Sequence, residues 1–75
     1  MRAEDLREIM HSQPFRPFTI HMADGRSFYI PHPDFIATSE SGRTTIVFDT
    51  NDRLNILDRA LMTELEVHPP DEQAA

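Results

Sequence analysis

The sequence predicts an α+β fold, in which a short N-terminal helix packs on a small, strongly bent, mainly antiparallel β-sheet or partly open barrel. Three observations carry this. Apolar residues recur at helical spacing only near the start, over residues 3–11. From Thr19 onward the apolar period becomes two, the repeat of a half-buried strand. Turn-forming residues then interrupt the pattern at Asp24-Gly25, His32-Pro33-Asp34, "SESGR" and "TNDR", leaving room only for short strands. One helix followed by a run of strands makes a segregated α+β layer arrangement.

The helix comes first. In "AEDLREIMH" Leu6, Ile9 and Met10 stand at i, i+3 and i+4 and form one narrow apolar stripe. Glu4 and Asp5 lie in the first turn, where the helix dipole favours negative charge. Pro14 ends the pattern. So short a helix is not stable alone and needs a surface to lie on. "QPFRPF", residues 13–18, is an extended connector, because Pro14 and Pro17 fix their own φ and bias the residues before them. Phe15 and Phe18 anchor it.

"FTIHM" and "RSFYI" are the first two strands, joined through Asp24-Gly25. A two-residue loop would place Phe28 opposite His21 and mix the faces. A three-residue loop, Ala23-Asp24-Gly25, sets Ile20 against Phe28 and Phe18 against Ile30 on one face, and register follows the hydrophobic pattern. Gly25 then takes positive φ. Beyond the Pro-rich break, "FIATS", "TTIVFD" and "LNIL" read as further strands, and "DRALM" as a single helical turn capped by Asp58. "ELEV" closes the domain with Leu65 and Val67 inward. The expected core is Ile20, Phe28, Ile30, Ile46, Phe48, Ile56 and Leu65, covered by the helix. Residues 1–68 are expected to form a single domain and residues 69–75 a disordered tail.

The composition bounds the function. A chain of 75 residues makes one domain at most. It has no cysteine, so disulfides, thiolate metal sites and cysteine nucleophiles are excluded. Thirteen acidic residues against seven arginines and no lysine give a net charge of −6, which argues against general nucleic-acid binding. No apolar stretch approaches the length of a membrane span, and the start carries charge rather than a leader-like apolar run. A cytoplasmic location is the expectation.

The element order, with a short turn before the last strand, resembles the Sm-like and SH3-like small barrels. The hydrophobic strand ending in Asp24-Gly25-Arg26 matches part of the Sm pattern. The second glycine, the base-binding run and the Arg-Gly of the second Sm motif are missing. A resemblance of greater length, "LRxxxxxxPFRPFxIHxxDGRxFxxPHPDFI" from Leu6 to Ile36, is to a group of short bacterial proteins of unknown function. It implies a shared fold and no known activity.

His32-Pro33-Asp34 is the tripeptide of the J-domain co-chaperones, but a β-type run and no basic helix precedes it here. Its reading is a turn, with Asp34 bonding the backbone two residues on. His21, His32 and Asp34 form a candidate metal set, since imidazole and carboxylate suit zinc; no helical ligand spacing supports it. Ser39 and Ser41 lack the strand-to-helix elbow that activates a serine. Arg26, Arg43 and Arg53 flank turns and form a candidate anion or RNA patch if they gather at one end. The expected function is a non-enzymatic protein-binding or assembly module of a bacterial cytoplasm, with no cofactor and with an unidentified protein partner or self-association. The alternatives are an Sm-like RNA-binding protein using the arginines and a metal-dependent enzyme.

Overall fold

The computed structural model describes residues 1–69; beyond Pro69, the expected disordered tail lies outside the described residues. One helix, α1 (Ala3–Met10), precedes six strands: β1 (Phe18–Met22), β2 (Ser27–Ile30), β3 (Ile36–Thr38), β4 (Thr44–Phe48), β5 (Leu54–Asp58) and β6 (Met62–Val67). The strands form two antiparallel three-stranded sheets, ordered β2-β1-β6 and β3-β4-β5, and among the described residues no barrel closes.

The first sheet has the predicted register. Phe18 pairs with Ile30 and Ile20 with Phe28. The Met22 amide donates to the Arg26 carbonyl across Ala23-Asp24-Gly25 at 2.8 Å. Gly25 alone in that loop has positive φ, +94°. The Asp24 carboxylate accepts from the Arg26 amide at 3.0 Å and pairs with its guanidinium at 2.7 Å. On the other side of β1, Ile20 pairs with Leu65 of β6, with a bulge between His21 and Met22.

The Pro-rich break separates the two sheets. Pro33–Phe35 form a single 3₁₀ turn, so β2 ends in the first sheet and β3 begins in the second. The turn is capped by the histidine rather than the aspartate: Nδ1 of His32 accepts from the Asp34 amide at 3.3 Å. The segment before β6 behaves as its sequence suggests. Asp58 caps a 3₁₀ turn over Arg59–Leu61 by accepting from the Ala60 amide at 3.0 Å.

Leu6 and Met10 of α1 are buried with Phe18, Ile20, Met22 and Ile30 of the hairpin, Ile36, Val47 and Leu57 of the second sheet, and Met62. The helix is held against the β3–β4 turn. Arg7 donates to the Glu40 carbonyl. Gly42, at φ +79°, lies so close to Ala3 that an added Cβ would stand 2.8 Å from the alanine Cβ.

The second sheet corrects the expected core. Thr45 and Val47 of β4 point inward and are buried, whereas Ile46 is only half-buried and Phe48 is exposed. On β5 the buried residue is Leu57, and Leu54 and Ile56 face out. Phe28 and Leu65 are half-buried against the core. Ile46 still pairs with Ile56 and Phe48 with Leu54, so the four residues share a face as expected. That face is the outer one.

A candidate binding surface on the second sheet

Alternation in β4 and β5 places apolar residues on both faces of the second sheet. Inward go Thr45, Val47 and Leu57; outward go Ile46, Phe48, Leu54 and Ile56. Ala37 of β3, which pairs with Ile46, lies on the same outer face and is exposed. Phe48, Leu54 and Ile56 are 45%, 55% and 68% exposed. Together they leave on the order of 350 Å² of apolar side chain in water, the scale at which a surface patch on a monomer is often functional. On the inner face Thr45 is fully buried and its hydroxyl has no hydrogen-bond partner.

At the Phe48 end the surface runs into an open groove of about 430 Å³, lined by Asp34, Phe35, Phe48, Asp49, Thr50 and Asp52. The β4–β5 turn builds its carboxylate side. Asp49 accepts from the Asn51 amide at 2.9 Å and the Arg53 amide at 3.0 Å through the same oxygen. These backbone bonds, the Arg53 one foremost, hold its carboxyl below the usual aspartate range. Asp52 takes the left-handed conformation, φ +64°, which aspartate tolerates better than most residues. Arg53 is exposed on the same turn.

The candidate metal set does not come together. His21 is bonded through Nε2 to Glu66 at 2.9 Å, across the β1–β6 pair. That bond is the main cause of a lowered Glu66 pKa. His32 and Asp34 stand 3.5 Å apart in the other turn. Among the described residues no group of three histidine or acidic side chains is placed to hold a metal ion.

The arginine set is divided. Arg43 and Arg53 precede β4 and β5, at opposite ends of an antiparallel pair, and lie roughly 20 Å apart along the strands. Arg26 is engaged by Asp24 and lies over the Phe28 ring at 5.6 Å. The neighbour of Arg43 is Arg59, whose amide donates to the Arg43 carbonyl at 2.9 Å. Sequence reasoning missed both Arg59 and the outer face. The signal for the face was present: β4 and β5 carry large apolar residues at consecutive positions, Ile46-Val47-Phe48 and Ile56-Leu57.

Comparison with protein-family models, curated proteins and solved structures finds no match. Leu6, Phe18, Ile20 and Ile36 are buried, Phe15, Phe28 and Phe35 pack against the core, and Asp24-Gly25-Arg26 and His32-Pro33-Asp34 make turns.

Proposed function

We propose that the chain is a non-enzymatic protein-binding module of a bacterial cytoplasm that acts through the outer face of β3-β4-β5. The observation that carries the reading is the pair of apolar cross-strand couples Ile46–Ile56 and Phe48–Leu54, of which Ile56, Phe48 and Leu54 are exposed and Ile46 is half-buried. Such couples add a little to sheet stability through cross-strand contact, but a contiguous exposed apolar surface costs solubility, and a partner that covers it accounts for its being kept. Apolar sheet surface at the centre with polar turns at its ends is the anatomy of an interface core and rim. An Sm-like RNA-binding role is less well supported, because Arg53 is separated from Arg43 and Arg26 is paired with Asp24.

The test is affinity capture of the tagged chain from its own cells, in parallel with an Ile56→Glu variant. Ile56 is the most exposed of the four, so the variant is expected to fold and melt like the parent. A partner retained by the parent and lost by Ile56→Glu supports the reading. Equal retention by both overturns it.

A further inference from the structure

We infer that the occupant of this surface is a basic amphipathic segment of a partner protein, in which arginine or lysine alternates with leucine, isoleucine or phenylalanine. The inference rests on the reading of the outer face as a binding surface and adds the chemistry of what binds.

The apolar part of the occupant follows from Ile46, Phe48, Leu54 and Ile56. Its charge follows from the end of the face. The groove that continues from Phe48 has an aromatic floor of Phe35 and Phe48 and carboxylates at Asp34, Asp49 and Asp52. Arg53 is the one cation of that turn; its charge acts on Asp49, which leaves Asp34 and Asp52 in excess. The Asp49 carboxyl is held ionised by the turn itself. A cation entering the groove therefore meets excess negative charge beside aromatic rings, which attract it further. The chain as a whole, at −6, draws in a basic segment from a distance.

The same charge disfavours a second copy docked with its Phe48 end on this one. That arrangement would bring two sets of Asp34, Asp49 and Asp52 together, and like charges across an interface are repulsive. A basic segment meets no such repulsion.

The experiment is an amide NMR titration of the labelled chain with three synthetic peptides. One alternates arginine with leucine and phenylalanine. The second has glutamate for arginine, and the third has serine for the apolar residues. The expected result is saturable shifts at Phe35, Phe48–Asp52 and Ile56 with the first peptide, on the order of 10-fold tighter than with either control and weakened by salt. The Asp34→Asn, Asp52→Asn double variant keeps the Asp49 bonds and a residue suited to positive φ at position 52, and it is expected to lose most of that preference. Equal binding of the glutamate peptide at the same amides overturns the inference and leaves the binding face standing. So do amide shifts there that grow with the chain's own concentration, which assign the face to a second copy. No response of those amides to any peptide or to concentration overturns both.

Discussion

Gly42 and Gly25 form a matched pair that isolates how α1 is attached. Both have positive φ, +79° and +94°, so replacing either by alanine carries the same backbone penalty, about 1–2 kcal/mol. Their surroundings differ. A Cβ on Gly25 meets nothing within 4 Å, whereas one on Gly42 meets the Ala3 Cβ at 2.8 Å and the Arg7 guanidinium at 3.2 Å. The arginine end can move, but the alanine Cβ is fixed to the helix, so the whole of α1 must shift. Overpacking of this kind costs about 1–3 kcal/mol. Gly42→Ala is therefore expected to lose about 2–5 kcal/mol and Gly25→Ala about 1–2 kcal/mol, measured as urea midpoints by circular dichroism at low temperature. The second arm is Ala3→Gly, which removes the opposing Cβ at a helix-propensity cost of up to about 1 kcal/mol. Combined with Gly42→Ala it is expected to recover at least about 0.5–1 kcal/mol relative to additivity. Equal losses at the two glycines, or strict additivity with Ala3→Gly, would refute the close approach of helix and turn.

Three further outcomes are expected. Thr45→Val removes a buried hydroxyl with no partner while keeping its shape, and is expected to raise stability by about 1 kcal/mol in thermal or urea melts; a loss of that size would mean the hydroxyl is satisfied. Neighbours on β5 should differ sharply, with buried Leu57→Ala costing about 2–4 kcal/mol and exposed Ile56→Thr within about 0.5 kcal/mol of the parent, and a reversed order would turn the second sheet over. Asp49 has its pKa depressed in the fold by the Arg53 and Asn51 amides. Its contribution is present above the ordinary aspartate value and lost as pH falls through the lower folded one. Asp49→Ala is expected to flatten the decline in stability on acidification below about pH 4, and an unchanged acid profile would count against the turn.

The first sheet was legible because its two faces differ. Phe18, Ile20, Phe28 and Ile30 agree on one register, and Gly25 supplies the positive φ that the loop delivering it needs. The strands of the second sheet were legible, and so was their alternation, but not their orientation. A period of two fixes which residues share a face, and Ile46, Phe48, Leu54 and Ile56 do. It does not say which face is inside when both carry apolar residues. Choosing the larger set placed Phe48 and Ile56 in the core. Large residues of the first sheet and the helix, Phe18, Ile20, Ile30 and Leu6, already supply much of the shared core, and β4 adds only the smaller Thr45 and Val47 to it. The His32-Pro33-Asp34 turn was legible from its prolines, but not which side chain caps it. The separation of Arg43 from Arg53 was implicit in the strand pairing, since both precede strands that run in opposite directions.

The most direct test of a binding role for the outer face is site-specific photo-crosslinking in the cells that make the protein. A benzophenone side chain is placed at position 56 in one variant and at position 29 in another. Tyr29 is an exposed control on the first sheet, 54% accessible against 68% for Ile56. The expected result is a discrete adduct from position 56, absent from position 29, that disappears when Leu54→Glu is added in cis. No adduct from position 56, or the same adducts from both positions, would contradict a partner on that face.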